Sequence, residues 1–120
     1  MGTWDVGPFD NDAARDLLTD LRAGCFSLDQ LRFGMSGDRI DADDAAVVVA
    51  LSALSKMSAS ELPAGLDREH VSELSAPGAR SWLRSQFNHI LDREASAIYA
   101  LWEHTGELDQ WIYQVESVRP

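Results

Sequence analysis

The 120-residue chain has a single cysteine, three histidines and half as many basic as acidic side chains, and each shortage closes a route. With only Cys25 available no intramolecular disulfide can form, which fits a reducing compartment, and a buried, inert thiol is expected there. His70, His89 and His104 are too few and too irregularly spaced for a zinc or di-iron centre: no Glu stands three residues before His89 or His104, and His-Glu-x-x-His does not occur. A Gly-x-Ser-x-Gly elbow and a Gly-rich phosphate loop are also missing. No catalytic residue, metal or cofactor is therefore assigned. No apolar run approaches the roughly 18 residues of a membrane span. The opening MGTWDVGPFDND has neither the basic region nor the apolar core of a signal peptide. A cytoplasmic protein is expected.

What is abundant is acid. Twenty Asp and Glu against ten Lys and Arg leave a net charge of -10. Each half of the chain carries the same twofold excess, so no acidic tail or basic arm stands apart. A surface this negative repels phosphate backbones and anionic lipid heads, which excludes nucleic acid and anionic membranes as direct ligands and leaves a basic protein as the complementary partner. Hydrophobic residues make up 45% of the chain. At this length folding removes roughly two-thirds of the unfolded chain's surface, enough for one domain with one core and no staple.

The apolar positions repeat with a helical period and are punctuated by caps. Ala13, Ala14, Leu17, Leu18 and Leu21 share one face of a helix over 10–21, with Asp10 as N-cap and Gly24 past its end. Ser27 three before Gln30, and Phe26 five before Leu31, predict a capping box and a hydrophobic staple at the start of a short helix over 28–33. The stretch DADDAAVVVALSALSKM, from Asp41 to about Met57, is apolar almost all round; its alanines and its length favour a buried helix over a strand. Such a helix is either enclosed by its own chain or meets a second subunit, so a homo-oligomer stays open. After a loop, SASELPAG, Asp67 opens a short helix to Leu74, and Pro77 stops it and enters the first turn of the next. That next helix shows Ala79, Leu83, Phe87 and Ile90 on one face, flanked by Trp82 and Leu91, with a break at Asp92. Ala95, Ile98, Leu101 and Trp102 make a further stripe ending at Gly106, and Leu108, Trp111, Ile112 and Val115 the last. The expected fold is an all-α, compact single-domain bundle of about six or seven helices with a short N-terminal arm packed on it.

Three segments taken together resemble one bacterial family, the domain-of-unknown-function 4259 family. They are MGTWDVGPFDNDAARDLL, with Trp4, Gly7, Phe9, Asn11, Asp12 and Asp16 at fixed spacing; DADDAAVVVALSALS with LPAGL after it; and ILDREASAIYALWEHTGELDQW, where Trp102 and Glu103 match a Leu-Trp-Glu segment. The chain departs from the pattern where the family usually reads Ser-Glu-Leu and this sequence has Ser96, Ala97 and Ile98. The resemblance implies no activity or cofactor.

The candidate binding residues are Trp4, Asp10, Asn11, Asp12, Asp16 and Glu103. Asp12 and Asp16 lie one helical turn apart and project together, and with Asp10 and Asn11 they could meet a cation; the spacing fits no EF-hand loop. Asp and Asn at a helix start are more simply caps. Trp82, Trp102 and Trp111 fall on apolar faces and are expected in the core. Trp4 precedes the first helix in a glycine-bracketed arm and is expected to fold back and plug the core; exposed, it would anchor a partner. The leading expectation is a non-catalytic protein-binding module with an acidic surface for a basic partner. One concrete form is an immunity-like or antitoxin-like protein covering the basic active site of a nuclease-type enzyme. The competing expectation is a metal-dependent or hydrolytic enzyme using the N-terminal Asp/Asn cluster with Glu103.

Overall fold

In a computed structural model of the chain, residues 9, 11–35, 40–92 and 94–119 are described. Among these residues six α-helices follow in order: α1 (Asp12–Ala23), α2 (Leu28–Gly34), α3 (Ala42–Lys56), α4 (Ala79–Ile90), α5 (Ala97–Glu103) and α6 (Leu108–Ser117). Short 3-10 turns at Ala59–Glu61 and Ser72–Ser75 lie between α3 and α4. The described residues contain no β-strand, only one isolated parallel bridge between Ile40 and Ser96. The all-α expectation holds. The expectations for the N-terminal arm, Trp4 and Asp10 lie outside the described residues.

The bundle is organised around α3. Asp41 caps it, its carboxylate accepting from the Asp44 N–H at 2.8 Å, and Asp43 and Asp44 add negative charge to the first turn, where the helix dipole favours it. From Ala45 to Leu54 only Val47 is not buried, and α1, α4 and α5 pack against the helix. Of the two ways an all-round apolar helix can be covered, enclosure by its own chain is the one observed. Phe87, Leu83 and Ile90 of α4, Ile98 of α5 and Leu51 and Leu54 of α3 are the large side chains at the centre. Trp102 of α5 stacks on Trp111 of α6 at 6.5 Å between ring centroids, and Tyr99 meets Trp111 edge-on at 6.1 Å. Trp82 is half-buried, with the Arg32 guanidinium 5.7 Å above its ring, so one of the three expected core tryptophans also serves as a cation platform.

Several local expectations are corrected. The N-cap of α1 is Asn11, one residue beyond the predicted Asp10: its side chain accepts from the Ala14 N–H at 2.8 Å and is itself only 5% exposed. SASELPAG is not featureless, because Ser58 and Glu61 form a capping box around the first 3-10 turn. The helix expected from Asp67 to Leu74 does not form. Asp67 does accept from the Glu69 and His70 N–H groups as a cap would. The bonds that follow, Ser72 to Glu69 and Leu74 to Val71, span three residues, the tighter turn that a segment too short to offset helix nucleation adopts. Pro77 stands before α4, whose cap is Gly78 at φ 89°. Ser96, buried, caps α5, which begins at Ala97, two residues into the predicted stripe, and Leu101 on that stripe is 44% exposed.

Two long-range contacts set how the helices meet. The Ile40 N–H donates to the Ala95 carbonyl and the Ala97 N–H to the Ile40 carbonyl, so the entries to α3 and α5 are tied together by backbone. The Glu73 carboxylate accepts from the Leu28 N–H at 2.8 Å, satisfying a free donor at the first turn of α2 from 45 residues away. No helix of the described residues is long and apolar enough to cross a membrane.

Candidate functional site

A surface hollow of about 650 Å³ lies between α1, α2 and the start of α3. Its construction follows from helix geometry. The apolar face of α1 carries Ala14, Leu17, Leu18 and Leu21 into the core. The opposite edge leaves Asp12, Asp16 and Asp20 exposed at intervals of four residues, a ridge rising about 6 Å per step. At the end of α1 the chain turns sharply: Gly24, at φ 72°, and Cys25 donate back to the Leu21 and Asp20 carbonyls, a close that only a residue tolerant of positive φ permits. That turn brings Phe26 and the Ser27 cap of α2 to the far wall, where Ser27 accepts from the Gln30 N–H at 3.3 Å. Asp43, from the first turn of α3, joins the rim.

The lining is therefore acidic above and apolar below. Ala13, Phe26, Leu31 and Val47, each half-buried, make the floor together with the buried Leu17. Four carboxylates border it, and among the described residues its lining contains no Lys, Arg or His. Among the described residues no basic side chain pairs with Asp12, Asp16, Asp20 or Asp43. Close by, at the entry to α3, partial burial and then the charges of Asp41 and Asp43 push the Asp44 carboxyl above the ordinary aspartate range.

The sequence candidates separate here. Asp12 and Asp16 line the groove. Asn11 is turned into the α1 backbone as a cap, and Glu103, exposed at the end of α5, is not part of the lining. Trp4 and Asp10 fall outside the described residues. Cys25, expected to be buried, is exposed on the groove wall, because the turn at Gly24 lifts it out of the helix before α2 begins. Asp20 and Asp43 were not singled out in the sequence. The four-residue repeat of Asp12, Asp16 and Asp20 was a usable signal for the first; nothing local points to the second.

Chemically the groove offers fixed negative charge and unsatisfied apolar surface. Among the described residues the lining holds neither an imidazole to accept the Cys25 proton nor an ammonium to stabilise a thiolate. Ser27 is engaged as a cap. Elsewhere His70 sits 3.0 Å from its own neighbour Asp67, and His89 Nδ1 lies 3.1 Å from the Ser85 carbonyl one turn back. Among the described residues no three His, Cys, Asp or Glu side chains are grouped so as to hold a metal ion.

Fold and groove together describe a small all-α protein with an acidic, apolar-floored cleft. The model of the family described as "Domain of unknown function (DUF4259)" matches residues 2–114, and the chain belongs to that family. No curated protein and no solved structure gives a significant match.

Proposed function

We propose that this protein is a non-catalytic interaction module that binds a basic protein through the groove between α1, α2 and α3. One observation carries the reading: four carboxylates with no basic partner among the described residues surround a floor of half-buried apolar side chains in a single hollow. Charge at a rim steers the encounter and selects the sign of the partner, while apolar area removed from water supplies affinity. A catalytic reading finds less support, because among the described residues the groove lining holds no imidazole to serve its thiol, and one of the expected metal ligands, Asn11, is engaged as a cap. A second copy of the chain is a poor occupant, since it brings the same net charge of -10. An immunity-like or antitoxin-like role, in which the acidic groove covers the basic active site of a nuclease-type enzyme in the cytoplasm, is the concrete form of the proposal. Its test is capture of partners from the native host on the immobilised protein at low and moderate salt. The expected result is a basic protein retained at low salt and released as salt screens the rim. Recovery of no basic protein at either salt removes the proposal.

A further inference from the structure

Resting on that reading, we infer that the groove receives a basic amphipathic α-helix of the partner, laid along α1 with its apolar stripe on Phe26, Leu31 and Val47 and its Lys or Arg side chains against Asp12, Asp16 and Asp20. The backbone decides between a helical and an extended occupant. Apart from the short connection Cys25–Ser27, the lining comes from α1, α2 and α3, whose interior N–H and C=O groups are spent on their own i to i-4 bonds. An extended segment would find no edge to pair with, whereas a helix satisfies its own backbone and presents side chains only.

The spacing agrees. The three α1 carboxylates recur every four residues, about 6 Å apart along the axis, the interval at which basic residues at i, i+4 and i+8 recur along a partner helix. Asp43 stands on a different helix, so the rim is acidic on both α1 and α3 while the floor between is apolar. That cross-section, charge at the edges and hydrocarbon at the bottom, is the complement of a basic amphipathic helix and not of a small inorganic cation, which would need carboxylates converging on one point. The chain's own first ten residues cannot supply the basic side chains, because they contain Asp5 and Asp10 and neither Lys nor Arg.

Cys25 provides a native reporter, since it is the sole cysteine, exposed, and part of the groove wall. The probe is a synthetic helix of about 14 residues, four turns, with Lys at four-residue intervals beside a Leu stripe. A scrambled peptide of identical composition and a Lys-rich peptide with no apolar stripe are its controls. The patterned peptide is expected to bind, to weaken with salt, and to slow alkylation of Cys25 by N-ethylmaleimide several-fold. The combined Asp12→Asn, Asp16→Asn and Asp20→Asn variant, checked for unchanged helicity, is expected to bind it about tenfold more weakly at low salt. Replacing the peptide's Lys by Glu should abolish binding to the unmodified protein, a result independent of how any variant folds. Equal binding of the scrambled or stripeless peptide overturns the inference, as does patterned-peptide binding that leaves Cys25 alkylation unchanged. A basic partner captured from the host that does not protect Cys25 overturns this docking geometry while leaving the interaction role standing; absence of any captured basic protein removes that role itself.

Discussion

Helices α1 and α3 lie side by side and differ in almost everything that matters for function. α3 is buried over most of its circumference, with Val48, Ala50 and Leu51 fully enclosed, and its work is to be the surface on which α1, α4 and α5 pack. α1 buries one stripe and leaves an acidic edge in water. The contrast shows how a small protein divides its labour: one helix gives up most of its surface to the core, and its neighbour, held by half of its surface, leaves the other half open. The large negative charge is legible in the same terms. Some acids, such as Asp41 and Asp67, are spent on local backbone donors; Asp12, Asp16 and Asp20 stand along an edge where no basic side chain of the described residues meets them.

The sharpest way to break the contrast is to truncate both helices. Leu51→Ala at the centre of α3 is expected to cost about 2–5 kcal/mol, from lost burial and the cavity left behind. Asp16→Ala on the open edge of α1 should stay within about 0.5 kcal/mol of wild type. Chemical denaturation of the two variants measures both, and equal costs would erase the distinction. Next in size is the start of α1: Asn11→Ala removes the cap and should cost about 1–2 kcal/mol, while Asn11→Asp, which keeps an acceptor for the Ala14 N–H, should recover most of it. If the two behaved alike, Asn11 would not be holding the helix that carries the acidic ridge.

A smaller effect tests α3 from within. Ser52 is fully buried and its hydroxyl has no hydrogen-bond partner among the described residues. Ser52→Ala should therefore leave stability unchanged or raise it by up to about 1 kcal/mol; a loss of that size would show that the hydroxyl is bonded. The smallest effect is at the entry to α3. Burial and the charges of Asp41 and Asp43 raise the Asp44 carboxyl above its ordinary value near 3.8. Because the raised value belongs to the folded state, the folded protein binds this proton more tightly. The associated stability is present at low pH and is lost as pH rises through the folded-state value. Asp44→Asn cannot lose it. The difference in melting temperature between variant and wild type should therefore move in the variant's favour as pH is raised from about 3 to 6. A difference that stays flat would mean the local charges do not act on Asp44 as described.

Much of the secondary structure could be read from residues alone. The buried central helix, the amphipathic first helix and the stop at Gly24 appear within a residue or two of where they were expected, because apolar period and capping chemistry act within one or two turns. The misreadings are cases where neighbours compete. Asn11 displaces Asp10 as cap, the segment after Asp67 is too short to sustain an α-helix, and Cys25 is exposed although cysteines are usually buried.

Half of the groove's acidic rim was in view in the sequence as Asp12 and Asp16, and Asp20 extends the same repeat. The rest was out of reach for a physical reason. Asp43 joins the rim beside α1 only because α3 packs there, Phe26 and Leu31 become floor only because α2 folds back across the turn at Gly24, and the Leu28 N–H at the start of α2 is satisfied by Glu73 from a distant turn. Local energies of capping and burial pattern are written residue by residue, so the sequence by itself determined which segments are helical and which faces are apolar. Which faces would remain uncovered, and which carboxylates would share one hollow, depends on through-space packing among segments far apart in the chain, and that only the tertiary structure decided.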